Sequence, residues 1–435
     1  YILSIVAFIV NLGFGAAMPL IPFLLLSYEG RLTDLPENLG KIEGAEAIAF
    51  QITLMVSAFM ITRALFARYF GRLSDFLGRK KIIVIGLSIY TFISLAYALS
   101  TSWIELLAVR AAQGIASAMV WPVAEAMLAD SVYWSERGRY MGWYMTMSNI
   151  SFFIGPVFGA YLYKFAVQYL NQGIPECFIF PFYILTVLAL FGVLISTLTR
   201  ETIKNDKKFK VRHRIFIQDE SEKEPIIIPP KIKRAINVIY IMGFANGIAM
   251  GLVAPITQIF IIQYITADPA ALGLLSTIAG AVGFTINYPA GYISDKIGRK
   301  KVVISGQLTT RVVTFTLPFA KTFEDLVVLY SLRAAAFNIM SPAYRALQAD
   351  LVPKQLRGKV FGTVQSLFNF GAATAPLGGY LYQIASKWKI YLLGQTIPGI
   401  ALSFWLSAGI GLFTAILFIL FVQEPEKKTR EEFSE

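Results

Sequence analysis

This 435-residue chain has one cysteine, one histidine and few charges, and each scarcity excludes a class of chemistry. Cys177 alone forms no intramolecular disulfide, and without a CxxC pair there is no cysteine clamp for a structural metal. His213 alone, in a charged stretch, excludes a histidine-built metal site and a Ser-His-Asp triad. No G-x-x-x-x-G-K-[ST] run is present, so the chain has no phosphate cradle for ATP hydrolysis. Charged residues make up 15% of the chain, against about 25% in soluble proteins. In their place, 56% of residues are hydrophobic and 14% aromatic. A bilayer-spanning helix takes about 20 apolar residues, so twelve would use about 240 and leave enough for short loops. The composition therefore predicts a polytopic all-α membrane protein, not an enzyme.

Apolar runs interrupted by polar clusters predict twelve helices, at roughly 1–28, 48–70, 82–100, 103–129, 140–166, 174–199, 234–265, 271–293, 302–320, 324–349, 359–386 and 396–423. The loop after span 2 carries Arg68, Arg72, Arg79, Lys80 and Lys81 against Asp75, a net +4. The loop after span 8 carries Lys296, Arg299, Lys300 and Lys301 against Asp295, a net +3. Loop 29–47, on the other side, nets −3. Lys and Arg near span ends stay cytoplasmic, which predicts a cell-membrane protein with both termini inside. The net charge of +12 is then largely topological, and no nucleic-acid partner is implied. The hydrophilic stretch 200–233 reads as a cytoplasmic linker between the regions 1–199 and 234–435.

The two regions repeat one another. Gly71-Arg-Leu-Ser-Asp75-Phe-Leu-Gly78-Arg79-Lys80-Lys81 matches Gly291-Tyr-Ile-Ser-Asp295-Lys-Ile-Gly298-Arg299-Lys300-Lys301 at an offset of 220. The pairs Pro122 and Pro342, Asp130 and Asp350, Pro156 and Pro376, and Gly159 and Gly379 keep that offset. The fold predicted is two pseudo-symmetric six-helix bundles, an architecture that places substrate between the repeats near mid-membrane.

These motifs resemble those of the major facilitator superfamily along essentially the whole chain, and in particular its twelve-helix drug:proton antiporters. G-x-x-x-D-x-x-G-R-K-K appears in both halves. Arg110-Ala-Ala-Gln113-Gly114 resembles the family's R-x-x-Q-G. Gly155-Pro156-Val-Phe-Gly159-Ala160 resembles the antiporter motif G-P-x-x-G-G, with Ala160 departing at its last position.

The resemblance implies that Asp75, Arg79 and Asp130 form a cytoplasmic gate, mirrored by Asp295, Arg299 and Asp350. An arginine fork can bridge two carboxylates. Asp75 is further expected to meet the start of span 11 near Gly358 and Lys359, and the second set the start of span 5 near Gly138 and Arg139. Gly71, Gly78, Gly291 and Gly298 are expected to permit tight turns and close helix approach. Gly155, Pro156 and Gly159 are expected to kink span 5 and pack it tightly.

Arg110, Gln113, Gly114, Ser117, Trp121 and Glu125 recur at spacings of three and four and so share one face of span 4. Ionisable groups within a bilayer normally face a bundle interior or a watery cavity. Glu125 is the acid well inside a span, which makes Glu125 with Arg110 the pair expected to couple protons. Repeat symmetry sets Glu125 opposite Arg345. The cavity is expected to be lined by Asn11, Gln113, Trp121, Asn149, Phe152 and Asn246. Gln258, Arg333, Asn338, Arg345 and Asn369 are expected to complete it. Span 1 lacks the carboxylate that many of the family's antiporters carry, and Arg63, Arg110, Arg311, Arg333 and Arg345 outnumber Glu125. Two transport readings follow: proton-coupled export of small amphipathic compounds, and transport of an organic anion. No cofactor or metal is implied; the expected partners are a small-molecule substrate, protons and the lipid bilayer, with the protein a monomer drawing on a proton gradient. A receptor or enzyme on the same scaffold is the reading least favoured.

Overall fold

The computed structural model describes residues 1–133, 136–202, 230–392 and 395–423, except for the side chains at 231, 287, 288, 291, 295, 354, 355 and 359. The linker expected at 200–233 thus falls mostly outside the described residues.

Nine described helices are long and apolar enough to cross a membrane on their own. They are span 2 (Ala49–Leu77), span 3 (Arg79–Leu99), span 4 (Trp103–Ser131), span 5 (Arg137–Leu170), span 6 (Glu176–Thr197), span 7 (Pro230–Tyr264), span 8 (Pro269–Ile297), span 10 (Phe323–Leu351) and span 12 (Ala401–Phe421). Span 1 is a bent pair, Ile2–Ala17 and Ile21–Tyr28, with 41° between its segments. Pro19 and Pro22 lie at that break, where a missing N–H interrupts the helical ladder. Span 9 (Arg299–Thr316) opens on three basic residues and carries Arg311, which lowers its hydropathy. Span 11 is split into Lys354–Ala372 and Ala375–Ala385, ahead of Pro376. The result is the expected twelve-helix membrane fold of two six-helix bundles.

The repeat extends to the helix ends. Span 2 turns into span 3 through Gly78, and span 8 into span 9 through Gly298, both at φ 101°. That φ strains any residue with a Cβ, so glycine is required at both corners. Ser102 caps span 4 by accepting from Glu105 N–H at 3.4 Å. Thr322, 220 positions later, caps span 10 in a reciprocal capping box with Asp325. One element was not expected. Residues 389–392 (β1) and 395–398 (β2) form an antiparallel hairpin ahead of span 12, where the apolar run suggested helix from 396.

One end of the bundle carries the motif loops and is basic; the other carries loop 29–47 and is acidic. The halves join toward the acidic end. Ser57 of span 2 donates to Ala373 O at 2.7 Å, and Thr277 of span 8 to Phe153 O at 2.7 Å. Ile42 N–H donates to Ile262 O, and Ala267 N–H to Gly40 O. Glu46 accepts from Gln263 at 2.6 Å, while Gln263 accepts from Tyr382 at 2.9 Å. A Cβ placed on Gly71, Gly138, Gly142, Gly358 or Gly362 would meet nothing within 4 Å.

Candidate functional site: charged groups within the bundle and at its basic rim

At the basic rim, Arg79 forms an ion pair with Asp130 and approaches Asp75 at 3.7 Å. Its counterpart Arg299 pairs with Asp350. Both pairs stay within their own half. At the positions where bridges across the halves are expected, a Cβ on Gly138 or Gly358 would meet nothing within 4 Å. Gly71 likewise makes no close approach. The side chain of Asp295 and position 291 lie outside the described side chains.

Glu201 belongs to this rim and was not anticipated. Its carboxylate accepts from the N–H groups of Arg79 and Lys80, both at 3.1 Å, and so caps span 3. Free N–H groups and the helix dipole favour an anion there. The carboxylate sits where a Cβ on Gly78 would lie, 2.5 Å from Oε2. Lys80 Nζ donates to Thr197 O, and its counterpart Lys300 Nζ to Ile419 O, tying spans 3 and 9 to the ends of spans 6 and 12. A signal for Glu201 was available: an acid at the end of an apolar run, with a basic motif loop on the same side.

Within the N-terminal half, Arg110 is buried and held by Gln113 Oε1 at 2.7 Å, with Met18 Sδ at 3.5 Å. Tyr97 donates to the same Gln113 oxygen at 3.0 Å. The guanidinium lies 5.2 Å from the Phe14 ring and 5.3 Å from the Phe59 ring, between two π faces. Polar and aromatic partners thus satisfy this arginine without a carboxylate. Phe14 also stacks on Phe152 at 5.9 Å, which brings an expected lining residue into the same cluster.

Glu125 is half-buried, and the cation acting on it is Arg63 of span 2. Arg345, set opposite Glu125 by the repeat, has an exposed side chain. Glu125 in turn acts on Tyr144 of span 5, whose buried hydroxyl has no partner. Arg110 and Glu125 share a helix face but sit in separate groups, one satisfied and one not.

The remaining expected lining residues divide. Asn149 is exposed, while Asn11, Trp121 and Gln258 are half-buried. Asn369 accepts from Gln365 at 3.1 Å. Asn246 is engaged by Arg311 at 2.5 Å, and Asn338 donates to Ala334 O of its own helix at 2.9 Å. The Asn246 oxygen and the Asn338 amide nitrogen are thus both engaged within the protein. Arg333 is half-buried on span 10, among the candidate lining residues.

Gly155, Pro156 and Gly159 bring spans 1 and 5 together. A Cβ on Gly155 would lie 2.7 Å from Gly15 Cα, and one on Gly159 only 2.2 Å from Ala16 O. Span 5 runs helical through Pro156, whose carbonyl would lie 2.6 Å from a Cβ on Gly273 of span 8. The motif therefore sits where three helices meet across the junction of the halves.

Known proteins share both sequence and fold with this chain. It is similar to Multidrug resistance protein 2 of Bacillus subtilis, 24% identical over 346 residues that cover 78% of this chain and 82% of the relative. It is 23% identical to Multidrug resistance protein MdtG of Citrobacter koseri over 412 residues, covering 94% and 91%. Among solved structures, the inward open conformation of the xylose transporter XylE from E. coli superposes with a TM-score of 0.66 at 16% identity, over 100% of this chain and 99% of that one. The nucleoside transporter NupG superposes at 0.63 and 13% identity, over 97% and 99%. The family model of the Major Facilitator Superfamily matches residues 3–234 and 239–435, and the chain belongs to that family, as a multi-pass membrane transporter.

Proposed function

We propose that the protein is a proton-coupled exporter of small amphipathic compounds, of the multidrug type, working by alternating access. The observation that carries this reading is an asymmetry between the two ends: hydrogen bonds join the halves toward the acidic end, while the glycines of spans 2, 5 and 11 at the basic end face open space. With the basic end cytoplasmic, as the positive-inside rule requires, this is the state that admits compounds from the cell or the inner leaflet. The names of the relatives support drug-like substrates.

In this reading the halves rock about the central gap until the basic ends meet. Arg79 with Asp75 and Asp130, and Arg299 with Asp350, are already assembled within their halves and present charged faces to the opposite one. Asp75 and Asp130 then meet the free N–H groups that open span 11, an arrangement that favours a carboxylate. Glu125 carries the proton. Ionised, it is drawn to Arg63; protonated, it loses that attraction and shifts the balance between the two states. Arg110, caged by Phe14 and Phe59, holds span 4 against spans 1 and 2.

A second reading, transport of an organic anion, is favoured by the excess of arginine over acid within the spans. The test is flux in proteoliposomes under an imposed pH gradient, with cationic, neutral and anionic amphipaths. Export is expected to follow the proton gradient and to collapse with an ionophore. Flux indifferent to the gradient would remove proton coupling.

A further inference from the structure

Loop 29–47 connects spans 1 and 2 of the N-terminal half, yet it is bonded into the C-terminal half. Ile42 N–H donates at 3.1 Å to Ile262 O, in the last turn of span 7, where carbonyls lack a partner along their own helix. Ala267 N–H, just past that helix, donates to Gly40 O at 2.8 Å. Glu46 accepts from Gln263 Nε2 at 2.6 Å, and Gln263 Oε1 accepts from Tyr382 of span 11 at 2.9 Å. Gln383, the next residue of span 11, donates to Ala47 O at 2.6 Å. Within the N-terminal half, Tyr163 of span 5 donates to Glu37 at 2.7 Å.

The loop has a fixed shape. Gly40 and Gly44 take φ of 67° and 80°, and a Cβ on Gly44 would lie 2.7 Å from Arg31 Nη1, where the chain folds back on its own start. Leu32, Ile42 and Ala45 are buried, in one continuous apolar cluster with Ile256, Ile259 and Phe260 of span 7. At the other end of span 7, Ile236, Ile239 and Met242 belong to a cluster built from the C-terminal half alone. The chain itself fixes the ends of the loop to spans 1 and 2. Opening the acidic end must therefore part the loop from spans 7 and 11.

We propose that loop 29–47 is the outer lock of the transport cycle: its clasp on spans 7 and 11 holds the acidic end shut and releases before that end opens. The inference rests on the alternating-access reading above. Gln263 is the centre of the clasp, because a side-chain amide both donates and accepts, here to Glu46 of one half and from Tyr382 of its own. The two backbone bonds do not depend on side-chain identity, whereas the bonds of Gln263 and Gln383 can be removed by substitution.

The test is electron spin distances in the full chain in nanodiscs, in a Cys177→Ser background. Labels at Asn171→Cys and Lys387→Cys report the acidic ends of spans 5 and 11. Gln263→Ala combined with Gln383→Ala should raise the population of the longer acidic-end distance at least about fivefold. A second pair, Gly142→Cys and Gly362→Cys, should shorten across the basic ends in step. Tyr163→Phe removes a bond internal to the N-terminal half and should leave both populations within about twofold. A loop that only stabilises the fold would lower the melting temperature and leave both distances unchanged, which would overturn the lock. Conversely, Glu46→Cys with Gln263→Cys, bridged by a short bis-methanethiosulfonate, should cut proteoliposome flux of ethidium and of anilinonaphthalene sulfonate at least about tenfold. Dithiothreitol should restore it. Flux that persists through the bridge would overturn the lock and leave the transport reading standing. Absence of flux in the unbridged protein would remove the transport reading, and the distances would still decide whether the loop holds the acidic end shut.

Discussion

The two halves were built from one repeat and still share its corners, caps and rim pairs, yet they treat charge inside the membrane in opposite ways. The N-terminal half cages Arg110 with Gln113, Phe14 and Phe59, and sets its one deep acid, Glu125, near Arg63. The C-terminal half buries Arg311 against an asparagine, leaves Arg333 unpaired among the described residues, and has no deep acid. At the position of Glu125 it carries the exposed Arg345. Their proline helices diverge too: span 5 continues through Pro156, while span 11 breaks at Ala373-Thr374. Features kept in both halves belong to the mechanics of a symmetric bundle. Features found in one half mark where the two halves have diverged in how they hold charge within the membrane.

Substitutions at repeat-related positions sharpen this division. The largest effect is expected for Glu125→Gln, which should lower proton-driven flux on the order of 100-fold while exchange flux persists. Arg345→Gln should leave proton-driven flux nearly unchanged, and equal losses in both would break the assignment of coupling to the N-terminal half. Gly159→Leu comes next. With Ala16 O in the way, it should destabilise the protein by at least about 1–3 kcal/mol in thermal unfolding. Gly362→Leu, facing open space, should cost less than about 0.5 kcal/mol.

The corner glycines separate a shared cost from a local one. Gly298→Ala should cost about 1–2 kcal/mol for a residue held at positive φ. Gly78→Ala should cost more, because its Cβ also displaces the Glu201 carboxylate, a cap worth about 0.5–2 kcal/mol. Equal melting shifts for the two variants would remove Glu201 from the rim. The smallest difference is expected between Arg79→Ala and Arg299→Ala. The Arg299–Asp350 pair is less exposed than Arg79–Asp130, so its loss should cost slightly more, within the ~1 kcal/mol typical of partly solvated pairs.

Much of this was legible in the residues, because hydropathy and an offset of 220 are strong signals. Twelve apolar runs and a doubled motif led to the fold, and the family resemblance those motifs carry led to the pairing of Arg79 with both Asp75 and Asp130. Short apolar segments were less readable. Residues 389–398 suit a hairpin or a helix start equally, and only pairing decides. Side-chain partners across helices were least readable, since they depend on helix rotation and on the conformational state. Repeat symmetry sets Arg345 at the position equivalent to Glu125, but an offset in sequence carries no information on which cation lies near the carboxylate, and Arg63 of span 2 is the one that acts on it.

The central claim is that the halves exchange one closed end for the other. It is tested most directly by electron spin distances in a Cys177→Ser background. One label pair at Gly142→Cys and Gly362→Cys reports the basic ends of spans 5 and 11, and a second at Asn171→Cys and Lys387→Cys reports their acidic ends. Under an imposed proton gradient with a transported amphipath, the first distance should shorten as the second lengthens. Two distances that stay constant, or that change in the same direction, would contradict the account.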